Sequence, residues 1–204
     1  AYILFARQGR YLTPHGTLHL QNLQYFPCSC PICTTLTPQQ LRKQTKEKQI
    51  RNLALHNLYV SFAEIAKIRA AITEGRLYEL AISRAMSHPK LATALTILQQ
   101  EKTKKLGELL EPITKPRALM IAHPILTEQP LVLRFIQRCR ERFFQWNRKL
   151  IVLSPYTKPP VYPAAQVIQI SPLFGPVPLE LKGIYPLYQH LTINLSLQRA
   201  LEIT

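Results

Sequence analysis

The sequence predicts an α/β protein built in two parts, and three observations carry that prediction. Residues 37–104 read as one helix after another, whereas beyond residue 116 short apolar runs alternate with a single amphipathic stretch. A boundary rich in proline, Glu111-Pro-Ile-Thr-Lys-Pro116, separates the two textures and divides residues 1–112 from residues 113–204. The third observation is the segment Cys28-Ser-Cys30-Pro-Ile-Cys33, which with His56 has the composition of a tetrahedral metal site.

In chain order, residues 1–6 read as the end of a buried strand or helix, and Arg7-Gln-Gly-Arg10 as a basic turn. Pro14 and Gly16 mark a tight turn with a short strand on either side. Pro27 and Pro31 are expected to keep the cysteines out of a regular helix and to favour a knuckle in which the thiols converge. Thr37-Pro-Gln-Gln40 has the signature of a helix start, with a threonine cap, proline at the first helical position and glutamine three residues after the cap. A helix over residues 46–60 carries His56 on its apolar face, and Ser61-Phe-Ala-Glu64 reads as a capping box opening a separate helix. That helix places Ile65, Ile68 and Ile72 in one stripe and stops at Gly75. Helices near 76–86 and 90–104 follow. Their apolar stripes call for a barrel wall or a second subunit.

In the second part, Arg117–Ala122, Lys149–Leu153 and Gln166–Ile170 read as buried strands. A helix over 130–146 turns Phe135, Ile136, Cys139 and Phe143 inward. Strand, helix and strand with short links make a small α/β layer domain.

Zinc suits thiolate and imidazole donors at about 2.0–2.3 Å, and a site with four protein ligands is closed and structural. Buried free thiols or a disulfide are the other readings of the cysteines, and neither accounts well for three in one short loop. A histidine on an apolar helix face is ordinarily a core residue; three thiols upstream make His56 a ligand candidate. His15 and His19, near the knuckle, are the alternative nitrogen donors.

The chain has 204 residues, 47% of them hydrophobic, enough for one large domain or two small ones. No apolar run approaches the roughly 18–20 residues that cross a bilayer. Cys139 has no evident partner, and this cysteine usage suits a reducing, cytoplasmic setting. Lys and Arg number 26 against 11 acidic residues, a net charge of +15, and every acidic residue is Glu. So positive a field points to a polyanion, nucleic acid ahead of an anionic membrane, with an inert basic surface as the plainer reading. The chain opens on Ala1 directly into an apolar run and closes on Ile203-Thr204, which is expected of a piece of a longer polypeptide or one half of a split protein.

Tyr11-Leu-Thr-Pro-His-Gly-Thr-Leu18, the cysteine segment, Ala54-Leu-His-Asn-Leu58 and Ser87-His-Pro-Lys-Leu91 together resemble the archaeal type of tRNA-guanine transglycosylase. Ser171-Pro-Leu-Phe-Gly-Pro-Val-Pro-Leu-Glu-Leu181 and Tyr185-Pro-Leu-Tyr-Gln189 resemble the domain that follows the catalytic barrel in those enzymes. The resemblance implies the C-terminal portion of a (β/α)8 barrel with a zinc-binding subdomain, followed by a small α/β accessory domain. It implies a tRNA partner, with guanine exchanged for 7-cyano-7-deazaguanine through an aspartate-linked ribose. The family's zinc pattern falls on Cys28, Cys30, Cys33 and His56, and its basic pair near the nucleophile falls on Arg7 and Arg10.

One departure bears on mechanism: the family uses two aspartates, and this chain contains none. A carboxylate nucleophile requires a positioned acid. The resemblance therefore implies that catalysis depends on carboxylates outside this chain, which alone is expected to be inactive. It supplies the zinc site, tRNA-binding surface and a contact surface for a homodimer or for a chain carrying the N-terminal barrel half. The alternatives are a non-catalytic tRNA-binding subunit and a relative of archaeosine synthase. Lys149-Leu-Ile-Val-Leu-Ser-Pro-Tyr156-Thr-Lys158-Pro resembles a loop of that paralogue, but Tyr156 stands where its reactive cysteine is expected and Pro160 where a tyrosine is.

Overall fold

A computed structural model describes residues 1–100, 111–143, 151–154, 166–187, 190–192, 195–196 and 198. The chain forms two compact units, one of residues 1–73 and 80–95, the other of residues 74–79 and 96–204.

In the first unit, α1 (Tyr2–Arg7) leads into a hairpin of β1 (Arg10–Thr13) and β2 (Gly16–His19), paired antiparallel from Arg10 opposite His19 to Thr13 opposite Gly16. Gly16 closes the turn at φ +139°, a conformation that side chains with a Cβ avoid. The apolar opening run is a helix, and it is only partly buried: Ala6 is 2% exposed, while Leu4 is 58% exposed.

The cysteine segment corrects the expectation of a knuckle free of helix. Pro31 occupies the first turn of a short helix, α2 (Pro31–Thr35), and Cys33 lies within it. Proline's fixed φ suits that position, where its missing N–H has no helical partner to lose. Thr37 caps α3 (Pro38–Lys43) with the expected reciprocal bonds: Gln40 N–H donates to Thr37 Oγ1 at 3.2 Å, and Thr37 N–H donates to Gln40 Oε1 at 2.7 Å.

A single continuous helix, α4 (Lys46–Thr73), replaces the two helices expected over this region. Ser61 caps nothing; its hydroxyl turns back and donates to the Asn57 carbonyl at 2.9 Å, the bond that serines inside helices make. Glu64 is drawn away from the capping role by Lys67 at 2.9 Å and Arg84 at 2.8 Å. Gly75, at φ +66°, follows the helix end as expected. Gln49, Leu53, His56 and Asn57 form the buried face of α4, whereas Phe62, Ile65, Ile68 and Ile72 are exposed. The helices α5 (Leu77–Ala85) and α6 (Pro89–Gln99) follow. The core of the unit gathers Ala6, Tyr11, Leu20, Leu23, Leu41 and Leu53.

The second unit is the mixed helix and strand region. The strand β3 (Leu119–Ile121) pairs in parallel with β7 (His190–Thr192). A separate sheet has the order β4 (Ile151–Ser154), β5 (Gln166–Ser171), β6 (Gly175–Pro178), parallel and then antiparallel. The amphipathic helix α7 (Pro130–Phe143) buries Leu131, Val132 and Ile136; Phe135 and Cys139 are half-buried. Residues 144–146 of the expected helix and the Phe143 side chain lie outside what is described.

This unit also buries a charged cluster. Lys115 donates to Glu79 Oε1 at 2.8 Å and to Gln129 Oε1 at 3.3 Å. Glu111 Oε2 lies 3.1 Å from the same ammonium but outside hydrogen-bond geometry. Burial raises the Glu111 carboxyl above the usual carboxylate range, and the nearby Lys115 only partly opposes that.

Candidate metal centre

The hairpin, α2 and the buried face of α4 converge on one point. There the donor atoms of Cys28, Cys30, Cys33 and His56 all lie within 4.8 Å of one another. His56 Nδ1 is 3.4 Å from both Cys30 Sγ and Cys33 Sγ. Donors about 2.0–2.3 Å from a central ion stand roughly that far apart at the corners of a tetrahedron, so the spacing fits one ion.

The surroundings prepare each donor. His56 Nε2 lies 2.9 Å from the Leu12 carbonyl, which can only accept. The proton therefore sits on Nε2, and the Nδ1 lone pair faces the thiols, the outer-sphere arrangement usual for metal-bound imidazole. Burial lowers the affinity of His56 for a second proton, which keeps the ring neutral and available as a ligand. The Cys30 N–H donates to Cys28 Sγ at 3.4 Å, and the Tyr11 hydroxyl is 3.3 Å from Cys33 Sγ. Burial pushes the Cys33 thiol up to about 12, with the Tyr11 bond opposing and the neighbouring thiols adding to the rise. Three thiols packed this closely resist ionising together; a bound cation removes that conflict. All three cysteines are free of disulfides.

Two contributors were not assigned a role from the sequence. Tyr11 is 1% exposed and stacks on the His56 ring, with centroids 3.7 Å apart and planes 14° from parallel. On its other stacking contact, the Phe26 ring lies 5.3 Å away. Asn57 is fully buried: its Oδ1 accepts from the Leu12 N–H at 2.9 Å, and its Nδ2 donates to the carbonyls of Arg10 at 3.1 Å and Tyr2 at 3.3 Å. Both roles depend on how the hairpin docks against α4, which no local spacing encodes.

The other sequence candidates lie elsewhere. His15 and His19 are exposed and outside the cluster. Arg7 is exposed in the last turn of α1, and Arg10 opens β1 with its guanidinium donating to Thr17 Oγ1 at 3.2 Å. Tyr156, Lys158 and Pro160 lie outside the described residues.

Three cysteines and one histidine gathered on a helical scaffold form a cluster able to hold a metal ion, and the surrounding sequence resembles known proteins. Residues 1–90 match the family model described as Queuine tRNA-ribosyltransferase. Likeness to particular members runs further along the chain. It is 42% identical over 190 residues to the tRNA-guanine(15) transglycosylase of Pyrococcus abyssi, and 37% identical over 199 residues to that of Methanocaldococcus jannaschii. With the Thermococcus kodakarensis protein of the same name it shares 39% identity over 190 residues. Each alignment covers 93% of this chain but only 29% or 30% of the relative, so the chain spans less than a third of their length.

Proposed function

We propose that this chain is the C-terminal part of an archaeal-type tRNA-guanine transglycosylase. In this assignment residues 1–112 are the end of the (β/α)8 barrel with its zinc-binding subdomain, and residues 113–204 an accessory domain. The ion is zinc, bound by Cys28, Cys30, Cys33 and His56 and structural in role. The observation that carries the assignment is the convergence of those four donors inside the stretch matched by the family model. The donor set supports zinc, since thiolate and imidazole in tetrahedral array favour it over harder cations.

The complete enzyme would act on tRNA, with 7-cyano-7-deazaguanine as the incoming base. This chain would contribute phosphate-binding surface, with Arg7 and Arg10 as the contacts and +15 net charge behind them. The exposed apolar stripe of α4 supports a contact with a second polypeptide surface, in a homodimer or with a chain carrying the N-terminal barrel half. Among the described residues no helix is long and apolar enough to cross a membrane, and the free cysteines accord with a cytoplasmic setting. With no aspartate in the chain, the catalytic carboxylates belong to another part of the enzyme. The same absence favours, as a second possibility, a non-catalytic tRNA-binding subunit or an archaeosine-synthase-like paralogue.

Exchange of radiolabelled guanine into tRNA separates these readings. The chain alone should bind tRNA and catalyse no exchange; adding the aspartate-bearing remainder of an archaeal relative should restore exchange. Exchange by the chain alone would remove the assignment of the carboxylates to another part. Binding without restoration would favour the non-catalytic subunit.

A further inference from the structure

The second unit encloses a pocket of about 510 Å³ bounded by Leu131, Arg134, Phe135, Arg138, Leu181 and Tyr185 among others. That volume lies within the roughly 300–1,000 Å³ of pockets that hold small organic ligands. Its walls are chiefly apolar, and two of them are aromatic rings. Phe135 is held in place by an edge-on contact with Phe174, centroids 4.9 Å apart and planes at 61°, and Phe174 itself is 1% exposed. A rigid ring at the pocket wall offers a stacking platform whose entropy cost is met in folding rather than in binding.

The charged side chains among the described residues that line this pocket, Arg134 and Arg138, are both basic. Arg134 and Arg138 stand four residues apart on α7, so both rise from the same helix face. The Arg134 guanidinium reaches the carbonyls of Glu111 and Pro112, each at 3.4 Å. Arg138 is exposed, and no hydrogen bond or ion pair occupies it among the described residues. A guanidinium beside an apolar, ring-lined cavity matches a ligand with a flat aromatic part and an anionic group, because planar donors pair bidentately with phosphate oxygens.

We propose that this pocket binds one nucleotide of a single-stranded RNA segment, with the base against Phe135 and Tyr185 and the phosphate on Arg138. Naming RNA as the source rests on the tRNA partner proposed above; the nucleotide chemistry rests on the pocket alone.

Titration calorimetry on the zinc-loaded 204-residue chain tests this with adenosine 5′-monophosphate and a fluorescent RNA trinucleotide as probes. Both should bind at one site, and adenosine, lacking the phosphate, about tenfold more weakly, the worth of one charge-assisted contact. Arg138→Glu, at an exposed position, should weaken the monophosphate at least tenfold without changing the melting temperature. Phe135→Leu, which keeps an apolar wall but removes the ring, should weaken the monophosphate and adenosine alike. Unchanged affinity in Arg138→Glu, or no binding of either probe, would overturn the proposal. If tRNA still binds while both small probes fail, the pocket is wrong and the tRNA assignment survives. Nucleotide binding without tRNA binding leaves the pocket standing and removes the tRNA assignment.

Discussion

His56 illustrates how much one side chain is asked to do. Its Nε2 is committed to the Leu12 carbonyl, its Nδ1 faces two thiols, and one ring face lies on Tyr11. Its partners in the cluster were readable from the sequence, because three cysteines in six residues and a histidine on a helix specify a donor set with few other uses. Tyr11 was not readable as a partner of Cys33, since the contact spans 22 positions and arises only when the hairpin folds. Cys30→Ser tests the centre at this scale. Apparent zinc-binding free energies of roughly 10–16 kcal/mol rival or exceed the usual 5–15 kcal/mol stability of a whole domain. The variant should lose its metal by elemental analysis and show unfolding of the first unit by circular dichroism; retained zinc with unchanged melting would refute a structural metal there.

Glu111 makes a different residue-level point. Because its folded-state carboxyl is raised from the ordinary 4.5, the folded chain holds a proton that the unfolded chain has released. Stability from this group is therefore fully present at low pH and is lost as pH rises from that ordinary value through the raised one. Glu111→Gln, which keeps the shape and removes the ionisation, should flatten the fall of melting temperature with pH across that range. A slope identical to that of the parent chain would show that Lys115 keeps Glu111 ionised throughout.

At the scale of elements, α4 shows both the reach and the limit of local signals. The start of α3 followed its capping rule because Thr37 and Gln40 satisfied each other's backbone groups. Ser61 and Glu64 have the same pattern, yet they lie inside a helix where Ser61 bonds back to Asn57 and Glu64 serves Lys67 and Arg84. A capping box is a boundary only where the chain must turn, and nothing local forces a turn at residue 61. The stripe of Ile65, Ile68 and Ile72 was legible as apolar, and it stands 42–58% exposed.

For the molecule as a whole, the large basic excess was plain from composition, whereas the pairing of β3 with β7 links segments about 70 residues apart and has no local signature. The charge yields a quantitative expectation. The proposed binding to tRNA would release counterions, so the logarithm of affinity should fall linearly with the logarithm of salt concentration. Anisotropy titrations across a salt series should show a steep negative slope, and Arg7→Glu with Arg10→Glu should make it shallower. A flat dependence would detach the charge from nucleic-acid binding.

One consequence follows from two neighbours on α4. While His56 faces the thiols, Asn57 grips the backbone at Tyr2, Arg10 and Leu12. An ion held by the four donors would act as a rivet through the helix: on one side it would close the cysteine loop, and on the other it would keep Asn57 aimed at the segment that carries Arg7 and Arg10. Withdrawing the metal would then blunt a basic surface that contains none of its ligands, turning metal supply into a condition on how the chain presents its positive charge.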